Sequence, residues 1–312
     1  MKGSRQIASV SLAGILSVLS LGVACAEPPA GPAAKPAAGN CPRADFRVVL
    51  DVGHTADSPG AKSARGVDEY AFNLRLAKQI DRALLDAGFA KTVLMVTGGP
   101  GVRSMYVRVA HANRLSADLL LSIHHDSVPD KMLEKWEYDG KPEIFSDRFK
   151  GHSLFVSDDN ADRSASLMFA SLLGEQLKAR GLHYTSHYTE KFMGHNQHAL
   201  LNADAGVYRY DTLFVLKKAR MPAALLEAGS IVNRDEELLL DSPERQQLIS
   251  AAVVEAVDGF CVAQSNNHAP QVAQSRSRHV QRVAHLHRRH APKRTVATAS
   301  ARTVLQSNLD MR

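Results

Sequence analysis

The chain has 312 residues, 45% hydrophobic and 22% charged, with a formal net charge of +6 and three cysteines. The positive charge is unevenly placed. Residues 262–312 hold nine Lys/Arg against one acidic residue, Asp310, and the first forty hold three against one, leaving 41–261 at about −4. The basic balance therefore describes the tail and not the folded part, and nucleic acid is excluded as a partner for a chain with an export signal at its start.

That signal is read from Met1 to Ala26. Lys2 and Arg5 precede an Ile/Leu/Val/Ala stretch that ends in Ala24-Cys25-Ala26, a charged n-region, an h-region and a small-residue cleavage site. The stretch is short and serine-interrupted for a membrane span of about 20 residues. The protein is expected to be exported, to the periplasm or to the extracellular medium. Residues 27–40 carry four prolines among alanines and glycines and form a linker that cannot build a core. The remaining cysteines, Cys41 and Cys261, bracket 41–261. In an oxidising compartment they suggest a disulfide that ties the ends of one domain, with two free thiols as the alternative.

Within the domain the periodicity switches repeatedly between strand and helix. Residues 46–51 predict a buried strand. A helix is predicted over 69–87, with Asp68 at its cap and Gly88 at its stop. A strand over 93–97 and a helix over 106–116 follow. The apolar run 119–124 predicts a strand, and 153–156 a shorter one. A helix over 164–180 stops at Gly181. Runs 213–216 and 223–227 predict the last strands, and 243–258 a closing helix with proline in its first turn. This alternation means an α/β sheet covered by helices on both faces. Residues 262–312, with five histidines and few aliphatic residues, predict a disordered basic tail. It is suited to anionic envelope polymers or headgroups, or is a plain solvated extension.

Four residues carry the chemistry. His54 follows the first strand in D-V-G-H, and Glu69 opens the helix after a Gly/Ala/Ser loop. His124 ends the third strand, and Glu227 ends the last in L-L-E-A-G-S. Strand carboxyl ends are where open α/β sheets place their sites. Each residue alone has an ordinary explanation, such as a glutamate serving the helix dipole. Together, two imidazoles and a carboxylate can hold Zn²⁺ with a position open for water, and a second carboxylate completes a hydrolase.

D-V-G-H (51–54), the Glu69 helix with Asn73-Leu74, R-V-A-H-A-N-R-L-S-A-D-L-L-L-S-I-H (108–124) and F-V-L-K-K-A-R-M-P-A-A-L-L-E-A-G-S-I-V-N (214–233) together resemble the zinc-dependent N-acetylmuramoyl-L-alanine amidases of the amidase-3 type. The resemblance covers nearly all of 46–258, with the motifs in order. It implies a single domain with a mixed, mostly parallel sheet of about six strands flanked by helices. It also implies metal ligands at His54, Glu69 and His124, a catalytic glutamate at Glu227, and peptidoglycan as substrate. The bond cleaved would join N-acetylmuramic acid to L-alanine. Thr55 stands where the family usually has glycine, and 228–232 replaces its usual Gly-Phe-containing run.

Residues 127–150, with the only tryptophan, Trp136, form a long polar insertion after His124. It reads as a lid, which would imply an activator protein that relieves it, or as a surface excursion. His125 is expected on the face opposite His124. One of His183, His187, His195 and His198 is a candidate for orienting substrate. Two other functions fit the residues: a zinc peptidase or carboxypeptidase trimming peptide stems, and a non-catalytic wall-binding protein.

Overall fold

The computed structural model describes residues 41–268. The predicted export signal, the linker and tail residues 269–312 lie outside the described residues. Buried apolar residues at 48–52 form strand β1 (Val48–Val52), whose five residues are all buried. Helix α1 (Glu69–Asp86) follows, with Phe72, Leu76, Ile80 and Leu84 on its buried face. Asp68 stands at its N-cap without a capping hydrogen bond, because its carboxylate pairs with Lys62 at 2.5 Å. Gly88, at φ +93°, lets the chain leave the helix in the left-handed region. Strand β2 (Val93–Met95), helix α2 (Gly101–Leu115) and strand β3 (Leu119–Asp126) complete the first half.

A hairpin of β4 (Glu134–Tyr138) and β5 (Lys141–Phe145) stands apart from the main sheet. Strand β6 (Ser153–Val156), helix α3 (Arg163–Ala179), strands β7 (Leu200–Asn202) and β8 (Val207–Arg209) and helix α4 (Phe214–Lys218) come next. Strand β9 (Ala223–Ser230), helix α5 (Arg234–Leu240) and helix α6 (Pro243–His268) close the domain. The main sheet has seven strands in the order β2-β1-β3-β9-β6-β8-β7. Its β1–β2, β1–β3, β3–β9 and β6–β8 pairs are parallel, and β6–β9 and β7–β8 are antiparallel.

Side-chain alternation along the strands divides the core into two layers. Leu119, Leu121 and Ile123 of β3 and Ala224, Leu226 and Ala228 of β9 meet α1, α3 and α6. Leu120, Ala223 and Leu225 meet α2 and the segment around α4. Continued one step, that alternation puts His124 and Glu227 at the carboxyl edge on the α2 side.

Three expectations need correction. The sequence predicts a strand over 213–216, yet 214–218 is helical. A short apolar run does not separate the two states, and here Val215 and Leu216 are buried while Lys217 and Lys218 close the turn. Helix α2 starts at Gly101, earlier than the predicted 106. Helix α6 continues to His268, so it includes the first residues assigned to the tail. Cys41 and Cys261 are joined in a disulfide with Cα atoms 5.3 Å apart. Closing so long a loop is worth up to about 5 kcal/mol in the chain-entropy model.

His152, just before β6, has both ring nitrogens sealed from solvent and without a hydrogen-bond partner. Burial, the largest influence, pushes its imidazole down to about 4. Between that value and the ordinary 6.5 the unfolded chain binds a proton that the folded chain does not, so stability falls as pH drops through this window. The loss is about 1.4 kcal/mol per pH unit for one such group. Other titrating groups cancel in a difference. A His152→Leu variant should therefore gain on the parent as pH is lowered from 7 to 5, measured by denaturant unfolding. A pH-independent difference would refute the assignment.

Candidate functional site

The site is assembled at the carboxyl edge of the sheet from three adjoining pieces of chain. β1 delivers Gly53 and His54. The following loop turns back so that Glu69 occupies the first position of α1. Gly60 makes the turn at φ +82°, and a Cβ there would overlap Glu69 Oε2 and His54. Thr55 is fully buried; its hydroxyl donates to Gly99 O at 2.8 Å and accepts from Ser58 N–H at 3.1 Å. It pins the loop to the chain entering α2. β3 delivers His124, whose register partner on β9 is Glu227. Directly after that pair the register shifts, with Asp126 opposite Ser230. Such a bulge bends a strand and re-aims its side chains.

His54 Nε2 lies 3.1 Å from Glu69 Oε2, and His124 Nδ1 lies 3.0 Å from Glu69 Oε1. The two imidazoles meet edge to face with centroids 4.9 Å apart. One donor atom from each of the three residues falls within 4.8 Å of the others. Glu69 and His124 are buried, while 36% of the His54 side chain is exposed. Two imidazoles and a carboxylate converging on one point, open on the His54 side, are a donor set that fits a divalent cation with a free position.

The two carboxylates are driven in opposite directions. Burial alone would raise Glu69, but hydrogen bonds from His124 and His54 outweigh it and hold the carboxyl well below its ordinary range. Burial, reinforced by the nearby Asp126 and Glu69, pushes Glu227 well above that range. Glu227 as a whole is half-buried, yet its Oε2 is sealed and has no partner. A low carboxylate suits a ligand, and a high one suits a group that takes up and returns a proton.

Residues around this centre hold it in place. Asn73, one turn along α1, donates to Glu69 Oε1 at 3.0 Å and to Gly53 O at 2.8 Å, and accepts from His125 Nδ1 at 2.7 Å. His125 thus faces α1, away from Glu227, and burial keeps its imidazole neutral by pushing it down to about 3. Beneath His124 on the α2 side, Asp51 Oδ2 accepts from Arg108 at 3.0 Å and from Ser122 at 2.8 Å, all buried. Asp126 accepts from the Tyr188 hydroxyl at 2.7 Å. Burial still pushes it up to about 7. Sequence reasoning missed Asp51, Arg108, Asp126 and Tyr188. D-V-G-H, R-V-A-H and S-I-H-H-D carried a signal for the first three through their motif neighbours, and Tyr188 had none.

Of the four candidate histidines, His187 comes nearest. Its Nε2 lies 3.9 Å from Asp126 Oδ2, and Thr185 Oγ1 lies 2.6 Å from its Nδ1. His198 packs at a tilt against Tyr210, His183 lines a separate cavity, and His195 is exposed. Trp136 sits on β4. Its indole N–H donates to Ala64 O at 2.9 Å, and the Arg65 and Arg234 guanidiniums lie 5.7 and 5.1 Å from the ring centroid. The hairpin is thereby fastened to the loop between His54 and Glu69.

An α/β domain with a His/Glu/His donor set able to hold a divalent cation, and a further carboxyl in register beside it, is the arrangement a metal-assisted hydrolase uses. The model of the N-acetylmuramoyl-L-alanine amidase family matches residues 48–259, and the chain belongs to that family of cell-wall hydrolases. It is 25% identical over 231 residues to the Escherichia coli N-acetylmuramoyl-L-alanine amidase AmiA, covering 68% of this chain and 75% of that protein. Among solved structures it resembles Ami1 of Mycobacterium smegmatis, with TM-score 0.53 and 22% identity, covering 70% of this chain and 98% of the other. The catalytic domain of CwlV from Bacillus (Paenibacillus) polymyxa gives 0.51 and 24%, covering 69% and 97%.

Proposed function

We propose that the protein is an exported, zinc-dependent enzyme, periplasmic in a cell with an outer membrane. It would hydrolyse the amide between N-acetylmuramic acid and L-alanine in peptidoglycan. The observation that carries this reading is geometric: donor atoms of His54, Glu69 and His124 fall within 4.8 Å of one another, and Glu227 lies in register with His124 on the next strand. His54, Glu69 and His124 would hold the zinc, which when bound polarises a carbonyl and makes water acidic enough to deprotonate near neutral pH. Glu227 accepts the proton of the attacking water and delivers it to the departing alanine nitrogen. Asn73 and the Asp51–Arg108 pair keep ligands and strand ends fixed while this happens.

Incubating the mature protein with purified peptidoglycan, with and without a zinc chelator, tests the reading. Soluble products identified by mass spectrometry should be stem peptides with a free L-alanine amine, released only in the zinc-loaded sample. Trimmed stems would establish a peptidase instead.

The hairpin supplies the regulatory part of the proposal. It is tied through Trp136 to Ala64, between two metal ligands, while His54 stays partly open. An activator gripping 127–150 would act through that loop. Trp136→Ala should lower turnover severalfold without changing the products. A rise in turnover would make the segment a lid.

A further inference from the structure

On the α2 side of the sheet, α2 and α4 leave an open groove of about 580 Å³ that the chemistry above does not use. Its lining includes Tyr106, Phe214, Arg114, Lys218 and Arg220. The rings of Tyr106 and Phe214 pack with centroids 4.3 Å apart, and Tyr106 is 57% exposed. Among the described residues, none of the three cations makes an ion pair or donates a side-chain hydrogen bond, although the neighbouring Lys217 pairs with Asp159. The segment after α4 is fixed in place. Asn113 donates to Lys218 O at 3.1 Å and accepts from Arg220 N–H at 2.9 Å. The groove is therefore a shaped, basic surface with an aromatic wall, on a domain segment whose own net charge is negative.

Its position relates it to the catalytic edge. Gly101, the first residue of α2, donates to Ser58 Oγ at 3.2 Å in the loop that follows His54. At 1.5 Å rise per residue, Tyr106 and Arg114 lie about 8 and about 20 Å along the helix from that point. A polymer held at the catalytic edge could reach the groove with a neighbouring part of its own chain.

We propose that this groove is a second binding site for peptidoglycan, an inference that rests on the reading of peptidoglycan as substrate. Stem-peptide carboxylates pair with Arg114, Lys218 and Arg220, and the apolar face of a sugar ring lies on Tyr106. Peptidoglycan is favoured over a phosphate polymer because it offers carboxylates and sugar rings together, in the molecule the catalytic edge already holds. Two weak contacts on one polymer multiply, which keeps an enzyme on an insoluble substrate between cuts.

The test compares full-length protein with an Arg114→Gln/Lys218→Gln/Arg220→Gln variant and with Tyr106→Ala. Binding is read by brief co-sedimentation in the cold with purified sacculi stripped of phosphate polymers. Turnover is read on a soluble muramyl-peptide. The triple variant should bind stripped sacculi more weakly at low salt, by about threefold to a hundredfold for the loss of three exposed charge contacts. The deficit should vanish at high salt, and soluble turnover should be unchanged. Tyr106→Ala should also bind more weakly, but with a deficit that persists at high salt. The basic tail is present in every protein compared and cancels. Equal binding of parent and triple variant overturns the proposal. A deficit confined to unstripped sacculi also overturns it and assigns the groove to the phosphate polymer. If the parent fails to turn over the soluble substrate, the catalytic reading falls while the binding result stands by itself.

Discussion

Glu227→Gln should keep its zinc and lose turnover by about 10²–10⁴-fold, the usual contribution of a general base. The substitution keeps shape and volume, so β9 and its pairing with His124 have no reason to change. It removes only the capacity to accept a proton. The same change relieves an electrostatic burden, because burial, Asp126 and Glu69 all oppose the charged form of Glu227. The sign can be stated. A carboxyl raised on folding keeps its proton at pH values where the unfolded chain has lost it, so its presence costs stability as pH rises above the ordinary carboxylate value. Metal-free Glu227→Gln should therefore unfold at a temperature no lower than the metal-free parent at pH 7 to 8. Three measurements decide the matter: zinc content, release of stem peptides and thermal unfolding. Retained turnover would remove Glu227 from the mechanism. Loss of zinc would make it a ligand.

Much of this candidate site is legible in the sequence because one of its four residues opens a helix and the other three lie at or near carboxyl ends of strands, although β3 and β9 run two and three residues past His124 and Glu227. Those places are marked locally, by an apolar run before His54, His124 and Glu227 and by a loop rich in small residues before Glu69. What supports the four is set by tertiary contact. Asn73 matters because α1 brings it over Gly53 O and His125, and Asp126 because Tyr188 arrives from sixty-two residues away. No spacing in the chain announces either contact. The fold divides the same way. Long helices were readable from period and from their glycine stops, whereas β7 and β8 have three residues each, too few for alternation to show. The hairpin in 127–150 is different, since its signal was present. Asp139-Gly140 sits between alternating residues, with φ of +51° and +70°, a turn that such a pair favours. The early start of α2 was hidden by Gly98-Gly99-Pro100-Gly101, which reads as a turn although proline precedes the first helical residue.

Gly53→Ala should abolish activity at limiting zinc while leaving the fold intact, although Gly53 offers no donor atom to a metal. The His124 imidazole lies directly against Gly53, so a methyl group there would come within 2.0–2.4 Å of three ring atoms. β1 and β3 cannot separate to make room, because Gly53 N–H donates to Ile123 O at 3.1 Å and every residue of both strands is buried. The ring must therefore swing aside and leave Glu69, which loses the contact at 3.0 Å that orients both groups. Disturbing the groups that orient a metal ligand typically costs about 10–100-fold in affinity. Displacing a ligand itself should reach or exceed the upper end. Two readouts separate this from general damage. Zinc affinity, measured by competition with a chromogenic chelator, should fall by about 100-fold. Excess zinc should restore part of the turnover. A variant that binds zinc normally would show that His124 can reach the metal from another rotamer, and would remove the packing of His124 on Gly53 from the account of the site.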